Sequence, residues 1–357
     1  MEIRSRHTEA SPAPDDTQAI RERLEALETR ILRPGAALAA ESRGRNRPED
    51  EHAYRTAYQR DRDRILHTKA FRRLKRKTQV FLAPVGDHYR TRLTHTLEVA
   101  QIARTTARAL QLNEDLTEAI AYGHDLGHTP FGHAGETVLN EVYAGGFNHA
   151  EQSLRVVDQI ESTRHGRGLN LTFEVRDGIV NHSRGKVILL GRRERCAATL
   201  EGDVLSVCDA IAYINHDIDD AVRGGVISLS DLPRAALRRL GETSSERIDA
   251  MVTALVEGSR GDCIGMVEDV REATWELRSY LYANLYPCET IHREIQKCKK
   301  ILRELYYYLL ENPPEPVLQE EDGDALERRV VDFVASMTDE YALELYRRMF
   351  FPENWHG

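Results

Sequence analysis

Three histidines and an aspartate lie within ten residues in the string YGHDLGHTPFGH, residues 122–133. They are His124, Asp125, His128 and His133. Neutral imidazole and carboxylate suit divalent ions such as Mn, Fe, Co, Ni or Mg. Adjacent helical side chains diverge by about 100°, so the His-Asp pair can share an ion only near a helix end, where Gly123 and Gly127 give the backbone latitude. A capped helix end with solvent-facing histidines is the plainer interpretation of one such pair, but not of the whole string.

His95 follows Arg92 in the string RLTHTLEVA, which predicts a helix. Winding this segment as a helix places both residues at the edge of a broad apolar face, pointing inward or into a cleft. A core histidine bonded to a neighbour is the plainer interpretation of His95 alone. The arginine needs an anion, because an unpaired buried guanidinium costs several kcal/mol. A substrate phosphate is one candidate for that anion.

A third set of polar residues lies on the helix predicted over Leu200–Arg223. Its stripe consists of Asp209, Tyr213, His216 and Asp220, with Asp217 beside it. Taken alone, this pattern is typical of an amphipathic helix with a solvated face. Asp209 becomes a candidate fourth metal ligand when it is considered together with His95, His124 and Asp125.

Helical periodicity runs along the whole chain, with no series of alternating strand-like segments, and it predicts an all-α fold. Helices are predicted at Thr17–Leu32, Arg60–Leu74, Thr94–Leu110, Glu114–Asp125, Ala150–Ile160, Phe173–His182, Leu200–Arg223, 244–257, 267–285, 288–310 and 324–349. A loop with Pro84, Gly86 and Asp87 is expected before the His95 helix. We predict three parts: an N-terminal helix and mobile linker over residues 1–50, a catalytic body over 51–225, and a helical extension over 226–357.

Composition narrows the class of protein. The 357 residues carry a net charge of −9, which argues against a protein that coats nucleic acid, although a local basic run (Arg72, Arg73, Lys75, Arg76 and Lys77) keeps such binding open.

No apolar run approaches the roughly 20 residues of a membrane span, and no signal peptide is evident, so we expect a cytoplasmic protein without a membrane partner. The five cysteines form no C-x-x-C pair. Phosphate-loop, G-x-G-x-x-G and G-x-S-x-G motifs do not occur.

The order His95, His124-Asp125, Asp209 resembles the H…HD…D signature of the HD-domain phosphohydrolases, an all-α superfamily. Further strings resemble its bacterial deoxyguanosine-triphosphatase-like subfamily: RDRDRI (60–65), FRRL (71–74), KTQVF (77–81), RLTH (92–95), HDLGHTPFGH (124–133) and NHAEQS (148–153). The match covers about residues 54–225 well and the C-terminal helices loosely. It implies an HD-domain helical core with a C-terminal helical extension.

The resemblance implies hydrolysis of a deoxynucleoside triphosphate (dNTP) to the deoxynucleoside and inorganic tripolyphosphate. The implied metal ligands are His95, His124, Asp125 and Asp209. The implied catalytic residues are His133 with Glu136, as a histidine–carboxylate relay, and His149. The implied substrate contacts are Arg92 and His128 on phosphate, Tyr213 and Asp217 on sugar and phosphates, and Gln79 on the deoxyribose or base. A lysine that often follows the last metal aspartate in animal relatives is Ala210 here, so phosphate charge must be neutralised elsewhere.

The same resemblance implies a divalent cofactor, Mn or Mg first, with Fe, Co and Ni also compatible with the ligands. It also implies a homo-oligomer, often hexameric in the family, and a dNTP activator in some members. Two other functions remain open: a 5′-nucleotidase or other phosphomonoesterase using the same ligands, and a non-catalytic binder of nucleotides or single-stranded nucleic acid. His182 and His216 have no assigned role.

Overall fold

The computed structural model describes residues 20–79, 90–164, 166–192, 194–318 and 323–352. The N-terminal half contains α1 Ile20–Ile31, α2 Ala57–Leu66, α3 Lys69–Arg73, α4 Arg92–Ala109, α5 Glu114–Gly123, α6 His133–Val142, α7 His149–Arg155, α8 Phe173–Asn181, α9 Lys186–Leu189 and α10 Leu200–Arg223. The C-terminal half contains α11 Arg234–Leu240, α12 Ser244–Gly258, α13 Glu268–Tyr280, α14 Glu289–Glu311, α15 Glu315–Leu318, α16 Leu326–Ser336 and α17 Asp339–Phe350.

Short irregular elements extend these helices. Single 3₁₀ turns lie at Ala39–Glu41, Leu74–Arg76, His182–Gly185 and Leu229–Asp231, and π-helical turns continue α7 over Val156–Ile160 and α13 over Leu281–Leu285. Among the described residues the sheet is limited to β1 Ser162–Thr163 and β2 Gly166–Arg167, which pair antiparallel. The all-α prediction is therefore confirmed.

Two predicted helices are each two helices in the structure. The helix expected over residues 60–74 stops after α2, because the Thr68 side chain accepts a hydrogen bond from the Phe71 amide and caps α3. The helix expected over residues 324–349 breaks in the same way, where Thr338 caps α17 by accepting from the Tyr341 amide. Threonine is a good N-cap but also an acceptable helix residue, so periodicity passes over such breaks.

Other predictions differ in smaller ways. Periodicity does not predict helices α6 and α11, and α6 follows a turn in which Phe131 and Gly132 both have positive φ. Residues 17–19 of the first predicted helix and the loop with Pro84, Gly86 and Asp87 lie outside the described residues.

The buried apolar side chains form two clusters. The first, called here the main core, runs from Ala39 to Ile291 and contains the apolar faces of α4, α5, α8, α10, α12 and α13. The second, called here the C-terminal core, joins Phe131 and α6 to α14, α16 and α17. The main core contains residues from both sides of residue 225, where the sequence predicts the boundary between the catalytic body and the helical extension. That boundary stays a prediction. None of the described helices combines the length and apolar character of a membrane span.

The segment expected to be a mobile linker is held against the body by Arg45. Its guanidinium pairs with the fully buried Asp61 and donates to the Asn170 carbonyl at 2.6 Å and the Ala57 carbonyl at 3.1 Å. Asp61 also accepts from the Thr172 amide and hydroxyl, both at 2.7 Å. Gly- and Pro-rich composition indicated mobility, whereas this ion pair is one of several contacts that tie the segment to the body, together with the bonds of Ala37 to Glu201 and of Ser42 and Arg43 to Glu174.

We expect Asp61→Ala to lower the free energy of unfolding by about 3–5 kcal/mol, because it removes the buried anion of Arg45, which then pairs only with the half-buried Glu49 at 2.8 Å. Urea unfolding followed by circular dichroism measures this change. As a control, Arg76→Ala removes an exposed ion pair with Glu340 and should cost less than about 1 kcal/mol. Equal losses in the two variants would contradict the assignment of Asp61 as an anchor.

Candidate metal centre and active site

Four side chains from three helices meet at one point. His95 Nε2 from α4 lies 3.1 Å from Asp209 Oδ1 on α10. His124 Nε2, directly after α5, lies 3.4 Å from Asp125 Oδ1 and 3.7 Å from Asp209 Oδ1. Ligand atoms of His95, His124 and Asp125 lie within 4.8 Å of one another. The four residues proposed as metal ligands from the sequence are therefore brought together.

The donor set fits a divalent cation. His124 Nδ1 donates to the Ala121 carbonyl at 2.6 Å, so its Nε2 carries the lone pair that faces the cluster. That Nε2 atom is buried and has no hydrogen-bond partner among the described residues. Two carboxylates and two imidazoles suit Mn, Fe or Co, and they accommodate Mg through the oxygens.

The turn that carries the His-Asp pair is fixed by close packing. A Cβ on Gly123 would lie 2.4 Å from the Ile179 side chain, and one on Gly127 would lie 2.2 Å from the Ser153 amide nitrogen. Neither glycine has a positive φ, so close approach of α8 and α7, not unusual backbone conformation, requires them. Ser153 completes the turn by accepting from the Gly127 amide at 2.8 Å and donating to the His124 carbonyl at 2.6 Å.

His216 supports the ligand His95 from behind. The two Nδ1 atoms lie 3.2 Å apart, and His216 Nε2 lies 2.5 Å from Glu98 Oε2. Burial alone would raise the pKa of Glu98, but the hydrogen bonds and charges of His216 and Arg90 together outweigh burial and lower the pKa. The ionised carboxylate thus orients His216, which orients His95. Partners of this kind fix the ring position of a ligating histidine.

Arg92 has an anion inside the protein. Its Nη1 donates to Asp125 Oδ2 at 2.9 Å, and its Nη2 donates to the Gln79 carbonyl at 3.3 Å. The sequence suggested a substrate phosphate as one candidate for the anion, and the structure supplies a carboxylate of the ligand cluster. Arg92 also lines the cavity that covers this cluster.

The predicted catalytic residues form a second cluster beside the first. Glu136 Oε1 accepts from the His149 amide at 2.9 Å and lies 2.8 Å from His149 Nδ1, while its Oε2 lies 3.2 Å from His133 Nδ1. Burial would raise the pKa of Glu136, but the hydrogen bonds from both histidines hold it well below its usual range. The His128 ring stacks on His149 at 4.0 Å, and its Nε2 lies 3.3 Å from Asp125 Oδ1.

His182 is a member of this cluster that the sequence left without a role. Its Nε2 lies 3.2 Å from His149 Nε2, and its Nδ1 donates to the Ile179 carbonyl at 2.7 Å. Burial and the neighbouring His124 and His149 lower the pKa of His182 to about 3, so this ring is neutral.

A cavity of about 200 Å³ lies over both clusters. Predicted residues that line it are Gln79, Arg92, His95, Asp125, His128, His133, His149, Asp209 and Tyr213. Asp217 lies deeper, is buried, and accepts from the Tyr286 hydroxyl at 2.5 Å. Two larger cavities, of about 460 and 250 Å³, lie elsewhere and are lined by none of the clustered residues.

Sequence reasoning missed further cavity residues, chiefly Lys186, Arg278 and Tyr282. Arg278 belongs to α13, and its guanidinium lies 4.4 Å from the centre of the Tyr282 ring. Neither the position of Arg278 on α13 nor its spacing from other polar residues indicated a site. Arg278 reaches the cavity only because the fold brings together segments that are far apart in the sequence. His182 and Lys186 could have been suspected from the histidine-rich segment that precedes Asp209.

Comparison with known proteins agrees with this geometry. An HD domain model matches residues 92–214, and a phosphohydrolase-associated domain model matches residues 264–348. A deoxyguanosinetriphosphate triphosphohydrolase-like protein of Caldanaerobacter subterraneus subsp. tengcongensis is 52% identical over 94% of this chain and 97% of its own length. A protein of the same description from Desulfatibacillum aliphaticivorans is 50% identical over 93% and 98%. A solved structure of a hypothetical protein from Aquifex aeolicus overlaps more loosely, with a TM-score of 0.45 and 20% identity over 81% and 71%.

The geometry predicts that Asp209→Ala weakens binding of a divalent ion by more than about 100-fold, since changes to the supporting partners of ligands alone cost about 10- to 100-fold. Competition with a metallochromic chelator, using Mn²⁺, measures the affinity. Asp219→Asn is the matched control, because it alters a carboxylate on the same helix that pairs with Arg90 and Arg247. Full metal content in Asp209→Ala would remove this residue from the ligand set.

Proposed function

Because the chain belongs to the deoxyguanosinetriphosphate triphosphohydrolase-like family of HD-domain phosphohydrolases, we propose that it cleaves dNTPs between the 5′-oxygen and the α-phosphorus. The products are then the deoxynucleoside and inorganic tripolyphosphate. The observation that carries the proposal is the position of His149, held by Glu136 beside the metal ligands. A phosphohydrolase needs a positioned acid of this kind when its leaving group is a basic alkoxide.

Attack at the α-phosphorus requires electrophilic help and a nucleophilic water. His95, His124, Asp125 and Asp209 would hold a divalent ion, which would supply both by polarising a phosphoryl oxygen and lowering the pKa of bound water. Arg92 holds one carboxylate of this set through its 2.9 Å contact with Asp125, and in the proposal its remaining donors face the phosphates. His128 packs between Asp125 and His149 and is the proposed contact to the α-phosphate.

The protonation of His149 follows from its two hydrogen-bond partners. The ionised Glu136 accepts the proton on Nδ1. On the opposite side, Nε2 faces the lone pair of the neutral His182 at 3.2 Å, where two lone pairs would repel each other. A proton therefore belongs on His149 Nε2. In the proposed reaction this proton goes to the 5′-oxygen as its bond to phosphorus breaks, and His133 assists from the other oxygen of Glu136.

The negative charge of the tripolyphosphate must be neutralised by other residues, because Ala210 stands at the position where animal relatives often have a lysine. Besides Arg92, two further cations line the cavity, Lys186 and Arg278. Tyr282 fixes the direction of the guanidinium by stacking under it. We propose that these two residues bind the β- and γ-phosphates, since cationic clamps stabilise developing phosphate charge.

The sugar and base lie, in this proposal, toward Gln79, Tyr213 and Asp217. Burial raises the pKa of Asp217 to about 7, and the Tyr286 hydroxyl donates to it. This carboxyl group can accept or donate a hydrogen bond to a sugar hydroxyl near neutral pH. The Gln79 Oε1 atom is buried without a partner among the described residues, which suits a polar contact with substrate.

The other sequence predictions are carried as proposals that the family likeness supports. They are a homo-oligomer, activation by a second dNTP, a cytoplasmic location, and Mn or Mg as the working metal. A phosphomonoesterase and a non-catalytic nucleotide or nucleic-acid binder are the alternatives, and the product measurement below separates them from the proposal.

We expect equimolar deoxynucleoside and tripolyphosphate as the first products from each dNTP that is hydrolysed in the presence of Mn²⁺ or Mg²⁺. In H₂¹⁸O, attack at the α-phosphorus places the label in tripolyphosphate and leaves the deoxynucleoside unlabelled. Anion-exchange chromatography and mass spectrometry measure both. Orthophosphate or pyrophosphate as the first inorganic product would replace the proposed reaction with another phosphohydrolase activity. Binding without turnover of any dNTP would favour the non-catalytic alternative.

His149→Ala should lower kcat by about 10²–10⁴-fold, the usual contribution of a general acid, while metal content stays unchanged. Steady-state kinetics with the best dNTP, together with metal analysis of the same sample, tests this. His292→Ala is the matched control, because His292 is an exposed histidine on α14. A His149→Ala variant with normal turnover would move the acid to another residue and contradict the role assigned here.

A further inference from the structure

Asp339, at the start of α17, touches two segments of the active site at once. Its Oδ2 accepts from the Thr78 amide at 2.9 Å and from the Thr78 hydroxyl. Its Oδ1 accepts from the Phe131 amide at 2.9 Å. Thr78 adjoins the cavity residue Gln79, and Phe131 lies in the turn between His128 and His133. One carboxylate of the C-terminal region therefore bonds to both segments.

The turn that Asp339 reaches has an unfavourable backbone conformation. Phe131 has φ 59° and Gly132 has φ 58°, and a non-glycine residue in this region needs surrounding contacts to stay there. The Phe131 ring is buried in the C-terminal core, and the Thr129 hydroxyl donates to the Gly132 carbonyl at 2.8 Å. The Asp339 bond satisfies the amide at the centre of this turn. The turn leads directly into α6, which carries His133 and Glu136.

Lys77 makes a parallel connection. Its buried ammonium group donates to the His128 carbonyl and, at 2.8 Å, to the Ala335 carbonyl near the end of α16. Lys77 and Thr78 are neighbours in the chain, so adjacent residues tie the turn to α16 and α17. These contacts join the region matched by the phosphohydrolase-associated model to the region matched by the HD model.

We propose that Asp339 is a positioning residue for the catalytic turn of residues 128–133. The C-terminal helices hold the turn through this carboxylate, so that the acid–base cluster is aligned over the metal ligands. The hydrogen bonds of Asp339 go to Thr78 and Phe131 and not to the four ligands, so it acts on turnover and not on metal binding. This inference rests on the proposed function for the identity of the reaction, but not for the geometry of the turn.

The test compares Asp339→Asn with Glu340→Gln. Both variants remove one negative charge from the first turn of α17, which matches their effect on the helix dipole. The amide in Asp339→Asn keeps the size of the side chain but turns an NH₂ group toward Thr78 or Phe131, where a donor meets a donor. Glu340 is exposed and pairs with Arg76 at the surface. The two variants therefore differ mainly in the contact to the turn.

We expect Asp339→Asn to lower kcat at least about 10-fold relative to Glu340→Gln, with KM changed less than about 3-fold and metal content unchanged. Hydrogen–deuterium exchange should be faster in peptides spanning residues 126–136 and unchanged in α10. Asp339→Glu, which keeps both acceptor oxygens, should recover part of kcat. Thr78→Val removes only the hydroxyl bond, and a several-fold loss of kcat is expected from it even if Asp339→Asn does not fold.

Equal kcat and equal exchange in Asp339→Asn and Glu340→Gln would overturn the inference, as would a loss of kcat that follows metal loss in a folded protein. If Asp339→Asn unfolds, an unchanged kcat in Thr78→Val overturns it. Failure of the proposed function is recognised separately. If the wild type hydrolyses no dNTP, the exchange of residues 126–136 still decides whether Asp339 holds the turn.

Discussion

Two carboxylates and two imidazoles converge on one point in the protein, and their mutual repulsion and loss of water must be offset. His95, His124 and Asp125 are nearly inaccessible to solvent, and Asp209 faces the cavity. Carboxylate oxygens that lie close together in a buried site are stable only with positive charge between or beside them. Arg92 supplies one permanent charge, and a divalent ion would supply the rest. The surrounding structure is organised by this requirement.

Hydrogen bonds from residues of α4, α5, α7 and α10 hold the proposed ligands in place. The Ala121 carbonyl fixes His124, the Glu98–His216 pair fixes His95, and Ser153 bridges the His124 carbonyl and the Gly127 amide in the turn that contains the His-Asp pair. None of these partners is itself a ligand. Precise placement of the ligands in advance lowers the reorganisation needed for binding, and it is achieved by ordinary hydrogen bonds from neighbouring helices.

The sequence predicted what depends on local order, and it missed what depends on distant contacts. His124 and Asp125 are adjacent, and His95 and Asp209 sit at informative positions on amphipathic helices, so their convergence was accessible from residue type and the family signature. Arg278 and Asp339 enter the site from elements far along the chain, and no local pattern marks them. The breaks at Thr68 and Thr338 were missed because a capping threonine differs from a helical threonine only in its φ and ψ angles.

The two cores divide the chemistry between them. The helices that carry the metal ligands pack in the main core, whereas α6, with His133 and Glu136, packs on the C-terminal core. His149 lies where the two meet, bonded to Glu136 on one side and to His182 on the other. The proposed metal ligands therefore depend on the packing of the main core, whereas the position of His149 depends on both cores. Under the proposed function, the bond that is cleaved would then depend on how His149 is held, because Glu136, which holds it, packs on the C-terminal core.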